Sequence, residues 1–283
     1  MAETLRNESD TFDLDGETTV HRLGYGAMRI TGEAIIGPPE DEAEAKRVVR
    51  RAVELGIDFV DTADSYGPGV SERLLGEELD DSDGVTVATK AGLVRHRNGD
   101  WQPIGEPKYL HNQVLCSLDR LGVDTIDLYQ FHRPDPDVDF EDSIQAFAEM
   151  KDAGQIRHIG LSNVTVDQLE TALDHVEVAT VQNRYNVGNR DEEDVLRACE
   201  DHGVGFIPWR PLPGEPGETL EAVAEEHGAT PRQIALAWLL DHSDVTLPIP
   251  GTSSVEHLEQ NVAAAAIDLS DDEVARLRDV DPQ

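Results

Sequence analysis

The stretch IDLYQFHRPDPDVDFEDSIQAFAEMKDAGQIRHIGLS, residues 126–162, decides the fold. It opens on one apolar run, IDLYQFH (126–132), and closes on another, IRHIGLS (156–162). Between them, residues 142–153 carry a helix-like pattern. Both runs are apolar on both faces, as expected of parallel strands covered by helices.

The unit recurs in both directions. Candidate strands precede it at GYGAM (24–28), DFVDT (58–62) and VTVATK (85–90). Others follow at VATVQN (178–183), VGFIPW (204–209) and TLPIP (246–250). The helix-like segments between them are 41–55, 71–79, 108–121, 166–175, 191–202, 218–227 with 231–241, and 254–264. Eight βα units in series predict an α/β fold of the (β/α)8 TIM-barrel kind, with a doubly wound open sheet as its competitor. Two segments stand outside the series. FDLDGETTVHRL (12–23) holds two short alternating runs around Asp15-Gly16, a hairpin signal, and is expected to plug the bottom of the barrel. LSDDEVARLRDV (269–280) opens with Ser270 as an N-cap and predicts one extra C-terminal helix. Without a linker or repeat, residues 1–283 read as a single domain.

The charge is unusual. Asp and Glu number 58 against 23 Lys and Arg, a formal net charge of -35 over 283 residues. Lys occupies only positions 46, 90, 108 and 151, so the basic set is mostly arginine. The acids are spread along the chain, which argues against a disordered acidic tail. Self-repulsion on this scale destabilises a compact fold at low ionic strength. At 1 M salt the screening length falls to roughly 3 Å, which removes most of that penalty. The composition therefore reads as halophilic, with an acidic mesophilic protein as the plainer alternative. Nucleic acid and anionic membranes are disfavoured as partners, because both call for basic patches. Cys116 and Cys199 lack metal-ligand spacing and read as reduced thiols of a cytoplasmic protein. No metal site is expected. The polar N-terminus does not read as a signal peptide, and the longest apolar run, 234–240, is too short to span a bilayer. The surface pattern leaves the oligomeric state open.

In a barrel, polar residues at the C-terminal strand ends mark the active site. Asp61 and Tyr66 come from the second strand, Lys90 from the third and His132 from the fourth. Each has a structural reading: Asp61 as a helix cap, Tyr66 as a loop aromatic, His132 as a core histidine. Lys90 resists one, because an ammonium closing an apolar strand is costly unless paired. In a chain nearly free of lysine, it suits a role that arginine cannot fill. Together the four form an acid catalyst. A phenol near pH 10 is a poor donor, a neighbouring ammonium lowers it, Asp61 holds that ammonium, and His132 orients a carbonyl oxygen. GxGxxG is absent, since Arg29 stands where the third glycine would be, so a Rossmann site is unsupported.

The sequence resembles the aldo-keto reductase family. The resemblance lies in VDTADSYG (60–67), ATK (88–90), DRLGVDTIDLYQFHRP (119–134), IRHIGLSN (156–163), VQNRYN (181–186) and PIPGTSS (248–254), in family order along almost the whole chain. It implies NADPH, or NADH, bound extended at the barrel mouth, and a small-molecule carbonyl substrate. It makes Tyr66 the general acid, tuned by Lys90 and Asp61, with His132 orienting the substrate. Ser162, Asn163 and Gln182 match the positions that hold the nicotinamide carboxamide, and Trp209 stands where the family commonly places a stacking tyrosine. Ser162 and Asn163 would equally suit a capping turn. Gly251, Thr252 and Ser253 precede a helix N-terminus, which favours phosphate. His257, Gln260 and Asn261 fall at the adenosine end. The Gly251 and His257 positions lack the lysine and arginine that strongly NADPH-selective members carry. The opening HRLGYGAMRITG with FIPWRPL and PIPGTSS resembles the pyridoxal-reductase-like branch. Trp101, Met28 and Arg133 are candidate pocket residues, and the short loop after Trp209 predicts an open site. Two other readings share the residues: an NADPH-binding sensor subunit of the same fold, and a barrel aldolase using Lys90 as a Schiff-base nucleophile.

Overall fold

The computed structural model describes residues 5–278. Seven parallel strands form one sheet in the order β11-β10-β9-β8-β5-β4-β3. These are β3 (Tyr25–Gly26), β4 (Phe59–Asp61), β5 (Thr86–Ala91), β8 (Ile126–Phe131), β9 (Ile156–Ser162), β10 (Thr180–Gln182) and β11 (Gly205–Phe206). Each coincides with a predicted strand. Helices α1 (Glu42–Glu54), α2 (Val70–Glu78), α3 (Pro107–Leu121), α4 (Phe140–Asp152), α5 (Val166–Leu173) and α6 (Glu193–His202) alternate with them. After β11 come α7 (Glu218–His227) and α8 (Pro231–His242), then α9 (Val255–Ala263) and α10 (Asp271–Arg278). The helix starts are written locally. Asp41 and Asp139 cap α1 and α4, and Thr165 with Gln168 and Thr230 with Gln233 form capping boxes on α5 and α8.

The eighth predicted strand closes the barrel without a regular ladder. On one side Leu247 donates to the Phe206 carbonyl and Phe206 to that of Val245. On the other, Gly24 and Gly26 donate to the carbonyls of Pro248 and Pro250. Those two prolines face β3 and have no N–H to return, so the seam carries bonds in one direction only.

The N-terminal hairpin is as expected. β1 (Thr11–Leu14) pairs antiparallel with β2 (Thr18–His21), and Asp15 and Gly16 at the turn both take positive φ. Leu14 and Val20 pack with Phe59, Ala88, Leu128, Ala179, Ile207, Leu247 and Ile249, the inward side chains of the barrel. The hairpin thus plugs the barrel floor, and His158 on β9 fastens it through Asp15 Oδ2 (3.2 Å) and Thr18 Oγ1 (2.9 Å). At α10, Ser270 caps the helix reciprocally with Glu273. The last two residues of that prediction, 279 and 280, lie outside the described residues.

One element was not anticipated. The polar stretch after β5 folds as an antiparallel hairpin, β6 (Leu93–Arg95) with β7 (Trp101–Pro103). Each strand is three residues long, too short for alternation to register against the charged turn between them. Both cysteines are free, and burial pushes the Cys199 thiol up to about 12. Among the described residues, no helix is long and apolar enough to cross a membrane, and no cluster of three or more His, Cys, Asp or Glu could hold a metal ion.

Candidate active site

The C-terminal ends of the parallel strands open into a cleft of about 830 Å³. Asp61, Tyr66 and His132 line it, and Lys90 lies beneath, fully buried. The β4–β5 register brings Asp61 beside β5. There Lys90 Nζ donates to Asp61 Oδ1 at 2.6 Å and to the Thr62 carbonyl at 2.7 Å. The same ammonium stands 5.2 Å from the Tyr66 ring centroid. Tyr66 meets His132 edge-on, with ring centroids 6.0 Å apart. The four residues singled out from sequence therefore converge on one site.

Asp61 is more heavily committed than a simple partner for lysine. Its Oδ2 accepts from Gln130 Nε2 (3.0 Å) and Gln182 Nε2 (2.8 Å). Two amide donors and an ammonium fix the carboxylate, and through it Lys90. Gln130 escaped the sequence analysis, because an amide between Tyr129 and Phe131 looks like one polar interruption of a core strand. The signal that could have found it is that a fully buried amide must have partners.

Burial pulls the Lys90 ammonium down, but Asp61 and Tyr66 more than reverse this, and it is held above the ordinary lysine value. For Tyr66 the balance differs from the expectation. Burial pushes the phenol up, Lys90 pulls it back, and the net position is above the ordinary value. The ammonium limits the rise rather than producing a net fall, because the ring is enclosed. His132 is driven well below the usual imidazole value by burial, then by Lys90 and Arg133. It is neutral at physiological pH, with one ring nitrogen free to donate to a carbonyl oxygen.

Ser162 and Asn163 form a hinge of hydrogen bonds beside this centre. Ser162 Oγ donates to the Gln182 carbonyl (2.9 Å), and Asn163 Nδ2 donates to Ser162 Oγ (2.9 Å) and to the His132 carbonyl (3.0 Å). Asn163 takes a positive φ of 57°, which asparagine tolerates better than most residues. Its Oδ1 accepts from Trp209 Nε1 at 3.2 Å. Ser162, Asn163, Gln182 and Trp209 all line the cleft, as do Gly251, Thr252 and Ser253. His257, Gln260 and Asn261 do not. They lie on α9 outside the cleft walls, with His257 exposed and Asn261 buried.

The β6–β7 hairpin brings Trp101 over the mouth, edge-on to Tyr66 at 6.5 Å. Arg95 stacks on Trp101 at 3.8 Å and donates to the Ala34 carbonyl, tying the hairpin to the loop after β3. Met28, Ile35 and Leu93 complete an apolar wall. The loop after Trp209 supplies Arg210, Pro211, Leu212 and Gly214 to the lining. Five arginines, Arg29, Arg133, Arg184, Arg210 and Arg232, line the cleft against one carboxylate, Asp61. Four of them were not singled out from sequence, because five separate segments contribute one each. Arg184 Nε is buried without a partner. That donor set fits a polyanion such as a dinucleotide.

Comparison with known proteins shows the family. The profile of the Aldo/keto reductase family matches residues 22–216 and 215–282. An uncharacterized oxidoreductase of Schizosaccharomyces pombe is 49% identical over 266 residues, 93% of this chain and 87% of its own. The pyridoxine 4-dehydrogenase of Escherichia coli is 40% identical over 280 residues, covering 95% and 97% of the two chains. A crystal structure of an aldo-keto reductase from Klebsiella pneumoniae in complex with NADPH superposes with a TM-score of 0.82 at 25% identity, over 97% of this chain and 96% of that one.

Proposed function

The chain belongs to the aldo/keto reductase family of oxidoreductases, and from that premise we propose that it interconverts a small aldehyde or ketone and its alcohol with NADPH. The observation that carries this reading is the buried Lys90 ammonium, clamped by Asp61 and the Thr62 carbonyl and turned against the Tyr66 ring at the floor of the cleft.

NADPH supplies the hydride when bound. Gly251, Thr252 and Ser253, with Arg29 beside them, would hold its phosphates, and Trp209 would stack against the nicotinamide. Ser162 and Asn163, which line the cleft, would meet the carboxamide. Gln182 lines the cleft beside them; its Nε2 is given to Asp61, which would leave its Oε1 to accept from the carboxamide. Tyr66 donates its proton to the carbonyl oxygen, Lys90 stabilises the phenolate that remains, and Asp61 keeps Lys90 charged. Neutral His132 donates a hydrogen bond to the same oxygen and fixes its direction. Trp101, Met28, Ile35 and Leu93 keep water from the reacting face.

Pyridoxal is the substrate to try first, by likeness to the Escherichia coli enzyme. The -35 charge supports a working environment of high salt, where screening relieves the repulsion. The Schiff-base reading of Lys90 is disfavoured, because the amine is held protonated and does not line the cleft. The test is to follow nicotinamide absorbance in molar KCl with NADPH and a panel of aldehydes including pyridoxal, for wild type and Tyr66→Phe. Turnover by the wild type, with most kcat lost in the variant while NADPH still binds, supports the reading. NADPH binding without turnover of any aldehyde points to the sensor reading. Failure to bind NADPH at any salt sinks the reductase assignment.

A further inference from the structure

Arginine is spent unevenly in this molecule. Five of its guanidinium groups face one cleft, where the only carboxylate, Asp61, is already taken by Lys90. Four of them suit the cofactor. Arg29 has its Cγ 3.6 Å from the position a side chain on Gly251 would occupy. Arg184 and Arg210 come from the segments after β10 and β11, and Arg232 from the start of α8, all later in the chain than Gln182.

Arg133 stands apart from these. It follows His132 directly, and its Nη2 lies 3.5 Å from Asn163 Oδ1, the oxygen that also accepts from Trp209 Nε1. The guanidinium is therefore held at the catalytic end, between His132 and Trp209. It lines the same cleft as Trp101, Met28, Ile35 and Leu93. Among the described residues it has no carboxylate partner. The single long bond to Asn163 leaves most of its five donors open. The reduced nicotinamide ring of NADPH and its carboxamide are uncharged, and the pyrophosphate lies one ribose further on, so the ring itself offers no anion to take them.

We propose that Arg133 is a specificity-determining residue, binding a carboxylate or phosphate on the carbonyl substrate while the carbonyl itself sits at Tyr66 and His132. The proposal rests on the reductase reading above. A half-buried guanidinium offers a planar, bidentate site to such a group, and the apolar residues that share the cleft would strengthen the contact by excluding water. The acidic surface would otherwise repel an anionic substrate, so a fixed cation inside the cleft is what would let one in.

The experiment compares kcat/KM for benzaldehyde, 4-carboxybenzaldehyde, pyridoxal and pyridoxal 5′-phosphate in wild type, Arg133→Gln and Arg133→Lys, with the KM for NADPH measured alongside. In the wild type, at least one anionic aldehyde is expected to exceed its neutral counterpart. The pair that responds tells carboxylate from phosphate. In Arg133→Gln that preference should fall by about 10- to 100-fold, the scale of a charge-assisted hydrogen-bond pair. Arg133→Lys should restore part of it, which a merely structural role would not do. Equal kcat/KM for the members of both pairs in the wild type overturns the proposal, and so does a preference that survives in Arg133→Gln. A raised KM for NADPH with the preference unmoved overturns it too, and reassigns Arg133 to the cofactor. Turnover of benzaldehyde by the wild type establishes the reductase reading independently. Its absence with all four aldehydes overturns both.

Discussion

The Lys90 ammonium sits 2.6 Å from Asp61 Oδ1, with the two side chains 0% and 3% exposed. A pair this deep is costly to form, and costlier to break from one side than to replace entirely. Lys90→Met strands a buried carboxylate. It should cost about 3–5 kcal/mol of stability, read as a lowered Tm. It should also cost about 10²- to 10⁴-fold in kcat, since the acid then lacks its electrostatic partner. The double variant Lys90→Met with Asp61→Asn should recover much of the Tm and none of the kcat. If Tm and kcat recovered together, Lys90 would be only a structural cation.

The pH profile of reduction follows from two opposite displacements. Burial lowers His132 and raises Tyr66. The imidazole is thus already neutral through pH 6–7, and the phenol stays protonated past its usual value of about 10. kcat/KM for carbonyl reduction should be flat across neutrality and decline only at strongly alkaline pH. A rate that falls as pH rises through about 6.5, and no longer does so in His132→Gln, would show that a charged imidazole takes part.

Asp64 lies two residues before Tyr66. Burial and then the neighbouring Glu72 push its carboxyl well above the ordinary range, and its Oδ1 is buried without a partner. A folded-state value above the unfolded one means stability that is fully present below about pH 4 and lost as pH rises through the raised value. Asp64→Asn removes the ionisation and leaves an acceptor for the Tyr109 hydroxyl, which donates to Oδ2 at 3.3 Å. Thermal unfolding should show a larger gain in Tm for this variant at pH 8 than at pH 4.5. The same gain at both would mean that the titration contributes nothing.

Salt should act on the fold before it acts on the chemistry. With a net charge of -35, thermal unfolding in rising KCl should shift Tm upward up to molar concentration. The buried Lys90–Asp61 pair is screened far less, so kcat at saturating substrate should change little over the range in which the protein stays folded. A Tm that ignores salt would remove the case for a halophilic surface.

What could be read from the sequence depended on whether a signal was local. Apolar runs flanked by helix caps are local, and the strands and helices emerged nearly in place. Asp15-Gly16 is local, and so was its hairpin. Lys90 stood out because so few lysines surround it in the chain. The interior seam at 246–250 read as an ordinary strand, because composition does not reveal that Pro248 and Pro250 face β3. Gln130 was hidden because its meaning depends on Asp61, 69 residues away. The arginines of the cleft were hidden because they gather only in three dimensions. His257, Gln260 and Asn261 were placed by family likeness, and their positions on α9 leave them outside the cleft walls.

The one-way seam at Pro248 and Pro250 ends at Gly251, where the segment bridges back to Gly26. Fastening of the barrel and the proposed grip on the nucleotide would thus be neighbours on a single short run of chain. A molecule seated on Gly251, Thr252 and Ser253 would act as the missing stitch, drawing together the edge that the prolines leave half-sewn. The empty barrel would breathe there first, with the amides of Gly24 and Gly26 exchanging early, and the filled one would be sewn shut by its own reagent.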